Sequence, residues 1–435
     1  MERLPLCHLL NADGIGDSGG MRRLKTLFLA APLAALLSLP VAAAPPRPWQ
    51  PTWFSAAQPV WGEGWVVPLG MPASLRDMTL RQSLRSSLGG GRVRLVVSNE
   101  YGRAPLTLGA VALRQDGAGP ARAVRFQGRD GTVVPAGARV VSDPLALSVA
   151  AGERLQVDLH LPQATATAGF HWDAQEQTLL LQGNAVGRRT APVLQVLQTR
   201  AFVSGLWVDT GQAPATVVAL GDSITDGNGS GVGTDQRWPD HLSRRLAQRG
   251  VAVLNAGIAG NRLLRGGWGD SALARLERDG LGHPGVRAIV VLLGTNDIGF
   301  PGSPFAPAEA PAALAELQAG LRQLVTQAHA RGVRVMAGTV PPFEQALQGT
   351  PLQGHHSPAK EAQRAALNAW IRQAGVFDAV VDFDAVLRDP AHPTRLAPAL
   401  DSGDHLHPGD AGYRRMAEAI DLDALLGTSA EGARP

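Results

Sequence analysis

The sequence predicts two structural halves: an antiparallel β-sandwich, then an α/β unit whose parallel sheet carries helices on both faces. Three observations support this. Short alternating strand-like runs, separated by turn residues, fill 46–210. From 211 to 428, unbroken apolar runs alternate with amphipathic stretches. The 435 residues are 45% apolar and 18% charged, a globular composition with room for a core in each half.

The N-terminal segment, 1–43, stands apart from both halves. Met21-Arg22-Arg23-Leu24-Lys25 is basic, Thr26 to Val41 is apolar, and small residues follow. This is the order of a secretory signal. Cleavage is expected after Ala43, because a cut after Ala44 would leave Pro45 at the new terminus. A start at Met21 makes residues 1–20 an extension. The competing reading, a membrane anchor, is opposed by Pro32, Pro40 and the shortness of the apolar run. The expectation is therefore export to the periplasm or the medium, with no stable membrane insertion after cleavage.

Cys7 is the only cysteine, which excludes an intramolecular disulfide framework and a Cys-rich zinc site. The net charge is +3 with no dense Lys/Arg run, so a nucleic-acid partner is not expected.

Within 46–210, Val93-Arg94-Leu95-Val96-Val97 and Leu155-Gln156-Val157-Asp158-Leu159-His160-Leu161 alternate as half-buried strands do. Gly89-Gly90-Gly91, Asp130-Gly131, Pro135-Ala136-Gly137 and Ala151-Gly152 mark turns. Regular short strands of this kind suit an antiparallel sandwich. No residues here have the spacing of a nucleophile and its base. Its role is left open between plain packing, carbohydrate binding and shaping of a cleft. His171-Trp172 is read as packed or at the surface, in preference to reaching across to the site.

In the second half the strand-like runs are 217–220, 251–254, 289–293, 333–337 and 380–383. Amphipathic stretches lie around 237–249, 270–279, 308–331, 358–374 and 410–425. Unbroken apolar strands between helices mean a sheet buried on both faces, a three-layer αβα unit. In such sheets ligands sit at the carboxyl ends of the strands.

Those ends carry the chemistry. Gly221-Asp222-Ser223-Ile224-Thr225-Asp226-Gly227 follows the first run and exposes a serine where a nucleophile belongs. Asn255-Ala256-Gly257-Ile258-Ala259-Gly260-Asn261 follows the second, and Gly294-Thr295-Asn296-Asp297 the third. Glycine permits close approach to the backbone, and an Asn side chain offers a neutral N–H donor. Asp404-His405-Leu406-His407-Pro408 precedes the last helical stretch. An Asp and a His three apart on one loop can meet, the carboxylate fixing the imidazole tautomer while the other ring nitrogen faces a serine.

These four ordered blocks resemble the SGNH hydrolase superfamily, the GDSL esterases and lipases, over about 216–425. The resemblance implies a flavodoxin-like αβα hydrolase domain. It implies Ser223 as nucleophile, Asp404 and His407 as acid and base, and an oxyanion hole from Ser223, Gly260 and Asn296. An acyl-enzyme mechanism needing neither cofactor nor metal follows from it. The β-rich first half resembles, more loosely, the extra domain of a subgroup that includes carbohydrate-acting esterases.

Several motifs compete with this assignment. Gly16-Asp17-Ser18-Gly19-Gly20 resembles a protease nucleophile motif but lies before the signal. Asp389-Pro390-Ala391-His392 repeats the Asp-x-x-His spacing without the following helix. His405 is expected to turn away from Ser223, to a rim or structural role. Gly227 to Gly233 lacks the register of a nucleotide loop, and Asn255 replaces the acidic residue such a site needs; loop flexibility is its plainer reading. Asp226 and Asp297 are expected to cap helices or bond loop backbone. Trp238, Arg262, Trp268 and Phe300 are open between lining a pocket and packing a core.

The expected function is an exported serine ester hydrolase acting on acetylated or short-chain acyl esters such as acylated carbohydrates. The mostly polar insert 340–358 favours small or hydrated substrates over a lidded lipase. The alternatives are a lipase or arylesterase and, from another class, a non-catalytic carbohydrate-binding protein.

Overall fold

The computed structural model describes residues 48–428 except Glu63. The signal-like segment, Cys7 and the Gly16-Asp17-Ser18 motif lie outside the described residues. The described residues form one compact unit.

The first half is built of antiparallel pairs. One sheet has four strands, ordered Trp49–Phe54, Val203–Asp209, Val93–Ser98 and Arg139–Val141. The other has six, with Met78–Arg85 and Arg154–Leu161 at its centre. Alternation decides which side chains meet. Leu155, Val157 and Leu159 of one sheet share a core with Val93, Leu95 and Val97 of the other. Intervening Asp158 turns to the opposite face, where Arg81 and Arg114 neutralise it at 2.6 and 3.3 Å.

The second half is a five-stranded parallel sheet of β1 (Thr216–Gly221), β2 (Ala252–Gly257), β3 (Val286–Leu292), β4 (Arg334–Gly338) and β5 (Ala379–Val381). Their spatial order is β2-β1-β3-β4-β5, the flavodoxin-like arrangement. Both faces are buried, which explains the unbroken apolar runs. Val218 and Leu220 pack with helices α1 (Leu314–Ala330) and α2 (Pro358–Gln373). Val217 and Ala219 pack on the other face, with Trp238, Leu242, Tyr413 and Met416. Trp238 is thus a core residue, tilted against Phe383 at 6.0 Å.

The structure corrects three expected boundaries. β2 takes in Asn255, Ala256 and Gly257, because each pairs in register with Ala219, Leu220 and Gly221; the loop begins at Ile258. The 270–279 stretch is one helical turn, Ala272–Arg275, widening into a π-turn at Leu276–Leu281. The last stretch is two helices, Asp410–Ala419 and Leu422–Leu426, separated at Ile420.

The halves are stitched at the base of β1. Gln50 donates to Thr216 Oγ1 at 2.8 Å and accepts from Ala215 N at 2.7 Å. No helix among the described residues is long and apolar enough to cross a membrane.

Candidate active site

β1 ends at Gly221, where a Cβ would lie 2.1 Å from Thr225 Oγ1 and 2.8 Å from Leu292 O, so only glycine fits. Asp222 then caps a single helical turn, Ser223–Asp226, accepting from Ile224 N at 3.0 Å. Ser223 is the first residue of that turn. Its N–H has no acceptor among the described residues.

Ser223 Oγ lies 2.7 Å from His407 Nε2, and His407 Nδ1 lies 2.6 Å from Asp404 Oδ2. Asp404 Oδ1 accepts from Leu406 N at 2.9 Å and from His407 N at 2.8 Å, so the carboxylate is clamped by its own loop. With the carboxylate accepting at Nδ1, the imidazole proton sits there and Nε2 accepts from the serine hydroxyl.

Burial pulls the His407 pKa down, but the charge and hydrogen bond of Asp404 more than reverse this and hold it above its ordinary value. Burial pushes Asp404 up, yet His407 and the two backbone donors hold it well below the usual carboxylate range. Burial pushes Asp222 up to about 7; its Oδ2 has no partner.

Gly260 stands beside this chain with φ +74, and Trp268 covers it so closely that a Cβ would fall 2.3 Å from the indole. Its N–H has no acceptor among the described residues. Asn296 sits in the short helix Thr295–Gly299. Its side chain donates one hydrogen to Asn261 O at 3.0 Å, leaving the other uncommitted. Ser223, Gly260, Asn296 and His407 all line one cavity of about 160 Å³. The structure therefore gathers Ser223, Asp404, His407, Gly260 and Asn296. A hydroxyl whose proton can pass to an imidazole, beside three N–H donors, suits attack on a carbonyl and stabilisation of the resulting oxyanion.

The cavity wall is more apolar than the sequence suggested. Trp268, Phe300, Phe305 and Trp172 line it, with Leu347 and Leu352 from the insert 340–358. The insert is polar by count, but its leucines turn inward, Leu347 in a left-handed conformation at φ 57. Trp172 corrects a second expectation: it belongs to the β-rich half and reaches the cavity. His171 beside it donates to Ala56 O at 2.8 Å and bonds Asp226 Oδ1 at 2.9 Å. Asp173 accepts from Asn228, a further lining residue, at 2.8 Å; burial, followed by the neighbouring Asp226 charge, pushes its carboxyl up to about 6.

Arg275 carried no sequence signal. It is fully buried and donates to Gly221 O, Ala256 O and Asn261 Oδ1 at 2.7 to 3.0 Å, fixing the ends of β1 and β2 and the residue whose carbonyl holds Asn296. The burial of an arginine within a short amphipathic stretch cannot be read from its spacing.

The other candidates lie away from the chain of proton transfer. Asp297 accepts from Leu263 N and Leu264 N at 2.8 and 3.1 Å, and Asp226 Oδ2 accepts from Ala259 N at 3.1 Å. His405 bonds Asp401 at 2.6 Å. The exposed His392 bonds Asp389 at 3.3 Å. Arg262 pairs with Glu309 at 2.6 Å and lies 5.9 Å from the Phe300 ring centre. The glycine-rich loop after Ser223 is tied down by Asp410 on Gly231 N at 2.8 Å and Ser230 on Gly227 O at 2.7 Å.

Residues 219–415 match the family model described as the GDSL-like Lipase/Acylhydrolase family. Curated protein sequences yield no match. Among solved structures, an aryl esterase from M. smegmatis is 19% identical, covering 49% of this chain and 100% of its own, with a TM-score of 0.38. A carbohydrate acetylesterase family member from Sinorhizobium meliloti is 19% identical, covering 49% and 99%, with a TM-score of 0.37. A GDSL-like lipase from Bacteroides thetaiotaomicron VPI-5482 is 18% identical, covering 48% and 87%, with a TM-score of 0.35. Residues 219–415, a little under half of the chain, thus form a GDSL-like lipase/acylhydrolase domain.

Proposed function

We propose that the protein is an exported serine ester hydrolase that works through an acyl-enzyme and takes esters of short to medium apolar acyl groups. The observation that carries this reading is the Asp404–His407–Ser223 hydrogen-bonded chain opening on an apolar cavity beside unengaged N–H groups. His407 takes the Ser223 proton as Oγ attacks the ester carbonyl, and Asp404 stabilises the imidazolium. The N–H groups of Ser223 and Gly260 and the Asn296 amide hold the tetrahedral oxyanion. The leaving alcohol receives the proton from His407. Water, activated by the same imidazole, then clears the acyl group from Ser223. Export rests on the signal-like order of 21–43.

The acyl preference follows from the wall. Trp172, Trp268, Phe300, Leu347 and Leu352 offer little to a sugar hydroxyl and much to an alkyl or aryl group. Initial rates on p-nitrophenyl esters from acetyl to palmitoyl test this. The expected profile rises from acetyl to a medium chain and falls by palmitoyl, as the cavity fills. The acetylated-carbohydrate expectation gives a maximum at acetyl instead. Folded enzyme inactive on every ester would sink the hydrolase reading and favour a binding protein.

The oxyanion assignment makes a separate prediction. Asn296→Ala lowers kcat by about 10²–10³, the usual cost of removing one such donor, with a modest change in KM. Undiminished kcat in that variant would remove Asn296 from the reaction.

A further inference from the structure

We infer that His171, in the β-rich half, is a positioning residue for the reaction: acting through Asp226, it fixes the turn that presents the Gly260 N–H. This inference rests on the oxyanion role proposed above.

The geometry is a relay of three contacts. His171 Nδ1 is anchored to Ala56 O at 2.8 Å, a backbone acceptor within its own half. Its Nε2 meets Asp226 Oδ1 at 2.9 Å, and Asp226 Oδ2 accepts from Ala259 N at 3.1 Å. Ala259 is the residue before Gly260. All the side chains involved are buried, Asp226 at 1% and His171 at 7% exposure, so water does not substitute for either partner. Both partners are oxygen acceptors, so the Ala56 contact takes a proton on Nδ1 and the Asp226 contact takes one between Nε2 and the carboxylate, and the two together fix the ring's orientation.

A second tether from the same half reaches the same turn. Trp268 packs against Gly260, and its carbonyl accepts from Trp61 Nε1 at 3.4 Å and from the Gln58 side chain. The Gln58 oxygen accepts in turn from Trp172 N at 3.1 Å. The turn at 258–260 is thus held by the β-rich half from the Asp226 side and from the Trp268 side. Both holds bear on the direction of one N–H, and an oxyanion donor is sensitive to direction.

The test separates positioning from mere stability. His171→Phe keeps the ring volume and removes both bonds. Its kcat on p-nitrophenyl butyrate is expected to fall about ten- to a hundredfold, with KM within about twofold of wild type. Rates are expressed per active site titrated with a fluorophosphonate. Pre-steady-state acylation and deacylation should both slow, since both pass through an oxyanion. His171→Gln, which retains one donor toward Asp226, should recover part of the loss. A folded His171→Phe with kcat per titrated site within twofold of wild type overturns the inference. So does a loss confined to the number of titratable sites.

Should His171→Phe fail to fold because Asp226 is left charged and buried, the double variant His171→Phe, Asp226→Asn carries the same prediction. It removes that charge while keeping an oxygen for Ala259 N–H. Ser223→Ala is assayed in parallel. If it stays active, the hydrolase mechanism falls and the inference with it. If it is inactive, the His171 result bears on the positioning alone.

Discussion

Ser223→Ala is expected to lower kcat by about 10⁶, leaving a folded protein that no longer reacts with a fluorophosphonate. The size follows from the geometry. Among the described residues Ser223 Oγ is the only hydroxyl bonded to His407 Nε2, and it lines the same cavity as Gly260 and Asn296. The nearby Ser230 hydroxyl is committed to Gly227 O and offers no substitute. The fold should survive, because the substitution deletes one hydrogen bond worth about 1 kcal/mol and no packing volume. Circular dichroism and thermal melting check the fold, and steady-state hydrolysis checks the activity. Residual kcat within a hundredfold of wild type would mean that the nucleophile lies elsewhere.

The residues around Ser223 were legible in the sequence because they fall in short local blocks. Gly221 to Gly227 and Gly294 to Asp297 follow apolar runs, and Asp404 to His407 pairs its own Asp and His on one loop before a helix; the parallel sheet then brings these blocks together across up to 184 residues. Asn255 to Gly257 was read as loop because glycine and asparagine mark turns, yet in-register pairing with β1 carries the strand through them. Tertiary pairing overrode local propensity there.

What sequence reading lost is what packing creates. The cavity wall is assembled from Trp172, Trp268, Phe300 and the two inward leucines of the insert, residues that share no spacing. The count of polar residues in 340–358 concealed that Leu347 and Leu352 face inward. His171 illustrates the same limit. Its partner Asp226 is 55 residues away in the other half, and only the docking of the two halves brings them together. Arg275 is held by Asp279 four residues on, at 3.4 Å, but its other acceptors, two backbone carbonyls and one amide side chain, come from the ends of β1 and β2 and the loop after β2, and only folding brings them to it.

Asp404→Asn is expected to lower kcat by about 10⁴ and to move the pH profile of what remains toward acid. Asp404 Oδ1 holds the N–H groups of Leu406 and His407, which only an oxygen can satisfy. An asparagine would keep its oxygen there and turn its NH2 toward His407 Nδ1. That nitrogen must then accept, which drives the ring proton to Nε2, facing Ser223 with a donor where an acceptor is required. The pH effect has a definite sign. In the wild type the balance of burial against the Asp404 charge leaves His407 above its ordinary pKa of about 6.5. The neutral, proton-accepting form therefore prevails only above that raised value, and kcat/KM should climb with pH through an inflection on the alkaline side of 6.5. Removing the carboxylate charge leaves burial to dominate, so the inflection should shift to lower pH even as the rate collapses. An inflection that moves to higher pH would contradict the electrostatic argument. A variant retaining kcat within tenfold would show that a different carboxylate, Asp173 or Asp222 being the nearest candidates, orients the imidazole.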